Sequence, residues 1–254
     1  MTTINEELNQ ISIIRLLIVG IVTIFAMVII EDLFLIEVPY DLLWIVLTVY
    51  IAYKLKGCSL DFHNKLSDAF KTSNIKLITW IVILNLIFSY GMIYLSILFI
   101  GTSFDLSNSI AHASGLFAVG TAISTIIIAP VSEELVFRGV IFNRLNKRIN
   151  VILAILISSI LFGLCHDYGG MFSAFIFGIC MCILYIKTDN IFVPMGAHFL
   201  NNLISEILDF IDPAGDFFYD PTIICIILVL AFIVFIVLMY YIVKELKAIN
   251  KNNN

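Results

Sequence analysis

An all-α, polytopic membrane protein is the fold class this sequence predicts, on three observations. The first is composition: 61% of the 254 residues are hydrophobic and 13% charged, with a mean hydropathy of +1.06, whereas a soluble domain carries roughly 25% charged residues. So little charge cannot cover a water-facing globule, which excludes a soluble enzyme, a disordered tail and a secreted disulfide scaffold. The second is continuity: apolar runs persist for about 15 to 25 residues without the period-two alternation of a membrane β-barrel. The third is the charge of the connecting loops, which alternates along the chain.

The elements follow in order. The N-terminus, Met1-Thr-Thr-Ile-Asn-Glu6-Glu7, has no positive stretch, and the run over 11–30 ends without small cleavage-site residues, so it reads as a retained first helix and not a signal peptide. Further apolar runs cover 38–55, 75–100, 116–142, 151–166, 171–186, 191–208 and 222–243, giving about eight transmembrane helices. The second, fifth and sixth are short. Sixteen helical residues rise about 24 Å against a hydrocarbon core of about 30 Å, so these need shielding by neighbours. No repeat or long linker divides the chain, and 1–254 reads as a single integral membrane domain.

Lysines and arginines fall in every second loop: Lys54, Lys56, Lys65, Lys71 and Lys76; Arg144, Lys147 and Arg148; Lys187; then Lys244, Lys247 and Lys251. The alternate loops hold Glu31, Asp32, Glu37 and Asp41, then Asp105, Asp167, and finally Asp209, Asp212, Asp216 and Asp220. By the positive-inside rule this predicts a multi-pass protein of the cell membrane with both termini cytoplasmic. A net charge of −5 without a large basic cluster speaks against nucleic acid as a partner. Cys58, Cys165, Cys180, Cys182 and Cys225 contain no C-x-x-C pair and read mainly as small apolar packers. The C-terminal Lys251-Asn-Asn-Asn has no cysteine, so the chain is not itself a prenylation target.

Ionisable groups inside the apolar runs cost at least about 2.5 to 3.5 kcal/mol each and mark candidate function. The fourth run carries Glu133, Glu134 and Arg138, the fifth ends on His166, and the seventh holds His198 and Asn202. Glu134 and Arg138 are i, i+4 neighbours able to pair, while Glu133 is turned about 100° away and left free. His198 and Asn202 share a helix face by the same spacing. At about 1.5 Å per residue, the polar groups of all three helices reach overlapping depths. Pro130 predicts a kink or restart of its helix, with Ser132 available to satisfy freed backbone groups.

A free glutamate, two histidines and an asparagine around one cavity suit water activation and stabilisation of an oxyanion, the imidazole and the carboxamide N–H groups serving as donors. Glu133, His166 and His198 could equally hold zinc with an open position for water. The residue types leave both uses open. H-E-x-x-H, G-x-S-G and G-x-G-D motifs are all absent; Pro213-Ala-Gly-Asp216 lacks the first glycine of the last.

Three segments taken together resemble a known family. Glu133-Glu134-Leu-Val-Phe-Arg138, Phe162-Gly-Leu-Cys-His166 and His198-Phe-Leu-Asn-Asn202 match, in order, the E-E-x-x-x-R, F-x-x-x-H and H-x-x-x-N/D motifs of the CAAX protease and bacteriocin-processing (CPBP, Abi-type) membrane endopeptidases. The first three helices carry no family motif, and the family's catalytic core would occupy about 115–208. The resemblance implies an eight-helix bundle around a cytoplasm-facing cavity that hydrolyses a peptide or protein at the membrane. It implies Glu133 as the water-activating base assisted by His166, His198 and Asn202 as the oxyanion site, and Glu134 and Arg138 as supporting residues. It admits zinc as a cofactor, because family members are described both as metalloproteases and as metal-independent glutamate-type proteases. The chain's richness in Ile, Asn and Lys looks bacterial or archaeal, and for a bacterial member the resemblance suggests pheromone processing, bacteriocin self-immunity or membrane-protein quality control. Two rival classes stand beside it: a proton-coupled transporter, which predicts inverted repeats and paired broken helices, and a catalytically silent scaffold.

Overall fold

The computed structural model describes residues 3–100, 116–167, 170–212 and 220–253, so Asp105, His112 and Asp216 lie outside the described residues. Every apolar run forms helix over most of its described length. In chain order the elements are α1 (Ile4–Leu8), α2 (Ile13–Phe34), α3 (Asp41–Leu55), α4 (Ser59–Ala69) and α5 (Thr72–Ile100). Next comes α6, one helical rod built from Leu116–Ile123, Ser124–Ile128, Ala129–Glu134, Leu135–Phe142 and Asn143–Asn146. The chain continues with α7 (Val151–Leu164), α8 (Met171–Thr188), α9 (Phe192–Ile211) and α10 (Pro221–Asn253). Among the described residues, four helices are both long and apolar enough to cross a membrane: α2, α5, α8 and α10.

Burial is inverted relative to a soluble protein. Leu17, Ile18 and Phe25 of α2 and Val229, Phe232 and Ile236 of α10 are exposed, while Glu134 and Arg138 are fully buried. Removing one such large apolar side chain from water is worth about 1.5–3 kcal/mol, so these outer faces require lipid as their solvent. The most apolar stretch of α8 is 67% buried against 17% for those of α2 and α10, which makes α8 the central helix.

Small residues set the closest approaches. Gly91 of α5 faces Ala231 of α10, where an added Cβ would stand 2.2 Å from the alanine Cβ; Phe88 stacks on Phe235 at 5.5 Å along the same seam. Gly178 of α8 lies against Ser159 of α7, with 3.1 Å between an added Cβ and the serine Cβ.

At Pro130 the expected restart takes a particular form in α6. The chain does not break there. The turn before it widens into a π-helix over Ser124–Ile128, with the Ala129 N–H donating to Ser124 O, five residues back, and Pro130 is the second residue of the next α-helical segment, in the first turn where its missing N–H costs least. Ser132 likewise does not serve the backbone: it accepts a hydrogen bond from the Thr48 hydroxyl of α3 at 2.7 Å. A second π-helical stretch, Leu135–Phe142, follows the glutamates.

Two elements add to the apolar runs. α1 closes on a capping box, the Glu6 N–H donating to Thr3 Oγ1 and the Thr3 N–H to Glu6 Oε2, and it buries Ile4 and Leu8. α4 is an amphipathic helix inside what reads as a lysine-bearing loop; its Phe62 packs edge-on to Phe192 at 4.8 Å. Asp61 of α4 accepts the Ile4 N–H at 2.6 Å, Asn5 donates to Asp189, and Lys65 pairs with Asp189 at 2.9 Å. Arg144 donates to Asn9 O at 3.0 Å, and Lys187 pairs with Glu245 near the end of α10 at 2.9 Å. The segments that carry lysine or arginine therefore gather, with both termini, at one end of the bundle.

Candidate active site

The site is assembled where α6, α7, α8 and α9 meet. Glu134 and Arg138, one turn apart on α6, form a fully buried ion pair with Nη1 3.1 Å from Oε1. Two further contacts hold the guanidinium: Nη2 donates to Gly178 O of α8 at 3.1 Å, and its carbon lies 4.3 Å from the centre of the Phe162 ring of α7. A side chain at position 178 would intrude, since its Cβ would lie 3.3 Å from Nη2.

His198 reaches the same carboxylate from α9, with Nδ1 3.0 Å from Glu134 Oε1. A carboxylate already accepting from arginine is an acceptor here, so Nδ1 carries the proton and donates. Nε2 is thereby aimed at Glu133 Oε2, 4.0 Å away. That gap is too long for a direct hydrogen bond and short enough for one water to touch both atoms. Glu133 Oε2 is buried and has no hydrogen-bond partner among the described residues. The expectation of one held and one free glutamate is met.

His166 enters from the end of α7. Its Nδ1 lies 2.9 Å from Phe162 O; a carbonyl only accepts, so Nδ1 donates and Nε2 is left as an acceptor. Phe162 is the hub of the group. Its ring centre is 4.7 Å from that of His166 and 5.7 Å from that of His198, and Phe177 of α8 braces His198 from another side at 5.5 Å. Asn202 also faces α6 but higher up, where its Nδ2 donates to Thr125 O at 2.9 Å in the π-helical turn.

All four proposed catalytic positions therefore sit around one rod, α6. Glu133, Glu134, Arg138 and His198 form a contiguous cluster, with His166 tied to it through Phe162 and Asn202 anchored separately. Among the described residues no three His, Cys, Asp or Glu side chains gather closely enough to hold a metal ion. Glu133, His166 and His198 do not stand as a ready three-ligand set. Sequence reasoning missed Gly178, Phe177 and Thr125, which act through backbone atoms or ring faces and leave no ionisable signal. Phe162 was visible only as a motif letter.

Comparison with known proteins bears on the same segment. Residues 115–204 match the family of type II CAAX prenyl endopeptidase Rce1-like proteins, a span holding Glu133, Glu134, Arg138, His166, His198 and Asn202. The chain is similar to the putative membrane peptidase YdiL of Bacillus subtilis (strain 168), 36% identical over 83 residues that cover 32% of this chain and 34% of the relative. It is also similar to the membrane-embedded CAAX protease MroQ of Staphylococcus aureus (strain USA300), 34% identical over 94 residues covering 34% and 38% of the two chains. The matched part spans roughly a third of the length of each relative. No solved structure matches. Through the segment that carries its buried polar cluster, the chain is similar to the CAAX protease family.

Proposed function

We propose that this protein is an intramembrane endopeptidase that cleaves a membrane-associated peptide or protein with a water molecule activated by Glu133. The observation that carries the reading is the Arg138–Glu134–His198 relay, which fixes the His198 ring and aims its Nε2 at the free Glu133 carboxylate across 4.0 Å.

In this mechanism a water bridges Glu133 Oε2 and the histidines. Glu133 takes its proton as the oxygen attacks the scissile carbonyl, and the carbonyl oxygen becomes an oxyanion. His166 Nε2 accepts the water's second proton as a hydrogen bond and so orients it. His198, when both ring nitrogens carry protons, donates from Nε2 to the oxyanion, and Asn202 supplies the carboxamide N–H not used by Thr125. With His198 in that form, two carboxylates, a guanidinium and an imidazolium sum to zero. The sum stays zero through the step, because a proton arrives on Glu133 as negative charge appears on the oxyanion. Collapse of the tetrahedral intermediate returns that proton to the leaving amine.

The eight long helices α2, α3 and α5 to α10 are the spans, with the lysine-bearing end and both termini in the cytoplasm. Peptidase assays on purified protein in liposomes, using a candidate peptide, test the reading. Wild type should cleave; Glu133→Ala and His166→Ala should not. Retained cleavage in Glu133→Ala overturns the assignment, and ion flux without cleavage supports the transporter class. Activity surviving metal stripping and chelation identifies the metal-free form, while loss restored by zinc identifies the zinc form.

A further inference from the structure

Asn202 does not stand alone. Three carboxamides form a chain: Asn85 Nδ2 of α5 donates to Asn201 Oδ1 at 2.9 Å, Asn201 Nδ2 donates to Asn202 Oδ1 at 3.3 Å, and Asn202 Nδ2 donates to Thr125 O at 2.9 Å. The direction of every bond follows from its far end. A backbone carbonyl can only accept, so the nitrogen of Asn202 must face Thr125. Its oxygen must then face Asn201, whose oxygen in turn faces Asn85. No other arrangement of the three amides makes all three bonds.

We propose that Asn85 and Asn201 are positioning residues that lock the carboxamide of Asn202 in one orientation, with an N–H and not an oxygen turned to the reacting carbonyl. The proposal rests on the peptidase reading of the site. An asparagine side chain rotates between two nearly isosteric states that exchange donor for acceptor. For an oxyanion the two are opposite, one attractive and the other repulsive. The Thr125 carbonyl selects one state, and Asn201 selects the same state from the other side. Asn85 matters because Asn201 would otherwise be free to flip and offer its own oxygen to that of Asn202. A chain of aligned amides also polarises each member, strengthening the last N–H.

Asn85 carries a cost that fits such a task. It is 4% exposed in an apolar helix, and its Oδ1 has no hydrogen-bond partner among the described residues. A buried polar side chain with an unpaired acceptor is a poor choice for packing alone.

A double-mutant cycle on the peptidase separates positioning from packing. Asn85→Leu removes the donor at similar volume, and Asn85→Asp keeps the shape while leaving only acceptors. Each should lower kcat about 10-fold with KM within about twofold, the pattern of a displaced transition-state donor. In an Asn202→Ala background the same substitutions should change kcat by less than about twofold. An equal loss in both backgrounds overturns the proposal, since it would show that Asn85 acts on the bundle and not on Asn202. A second readout needs no activity. In 15N-asparagine-labelled protein in nanodiscs, Asn85→Leu should shift the side-chain amide resonances of both Asn201 and Asn202, each assigned by its own substitution. An unmoved Asn202 resonance overturns the proposal, and the same spectrum reports whether the variant is folded. Coupled resonances in a protein that cleaves no peptide would sustain the amide chain and defeat the peptidase reading instead.

Discussion

His198 Nδ1 and Glu134 Oε1 stand 3.0 Å apart across the interface of α9 and α6, and that oxygen also receives Arg138 at 3.1 Å. One carboxylate thus neutralises a buried guanidinium and sets the tautomer of the histidine. Glu134 holds the His198 ring, while Glu133, one residue earlier, stands 4.0 Å from its Nε2.

The pair predicts a strong asymmetry in stability. Glu134→Leu or Arg138→Met alone leaves an uncompensated buried charge and should cost about 3–5 kcal/mol, whereas the double replacement should cost much less than the sum. Thermal melting in detergent measures both. Additive losses would show that the two side chains do not act as a pair.

Glu133 predicts the reverse profile. It makes no direct hydrogen bond through its buried Oε2, so Glu133→Gln should leave the melting temperature close to wild type while lowering peptidase kcat by about 10²–10⁴. A large drop in melting temperature would assign Glu133 to the structural cluster.

Phe162 touches Arg138, His166 and His198 through one ring. Phe162→Ala should cost about 3–5 kcal/mol of stability by opening a cavity under all three. Phe162→Leu, which refills most of it, should recover stability more than activity. Parallel melting and cleavage assays separate the two effects.

The α5–α10 seam should behave as a matched surface. Gly91→Ala drives a methyl to 2.2 Å from the Ala231 Cβ and should destabilise by about 1–3 kcal/mol. Adding Ala231→Gly removes the opposing methyl and should recover much of the loss in a thermal melt. No recovery would mean that the helices separate along their whole length.

Asp220 caps α10 by accepting the N–H groups of Thr222 at 2.8 Å and Ile223 at 3.2 Å, and these bonds hold its carboxyl below the ordinary aspartate range. A lowered folded-state value means that the cap's contribution is complete above the unfolded pKa, about 3.9, and disappears as pH falls through the folded one. Asp220→Asn keeps a competent cap without the charge. Its melting temperature should fall less than that of wild type when pH is lowered through this range.

Particular residues show where sequence reasoning reached. The buried cost of Glu133, Glu134, Arg138, His166, His198 and Asn202 stands out against apolar neighbours, and i, i+4 spacing paired Glu134 with Arg138 because that geometry is local to one helix. Loop charge likewise anticipated that Lys65, Arg144, Lys187 and the termini share one end. Pro130 marked the restart of an α-helical segment but not its form. Its missing N–H is a local fact, but whether a helix breaks or widens into a π-turn depends on what surrounds it.

Sequence alone therefore indicated the class of solvent, the helical character of the apolar runs and the ionisable residues of the candidate site, since each follows from composition or from spacing along a single helix. Only the tertiary structure decided that Glu134 binds His198, that Phe162 and Gly178 cradle Arg138, and that Asn85 and Asn201 direct Asn202. Apart from the Asn201–Asn202 bond, those relationships join residues 24 to 116 positions apart. Helical periodicity orders residues within a helix, but the rotation and depth at which two helices meet are set by packing, and there small residues and ring faces decide the contact.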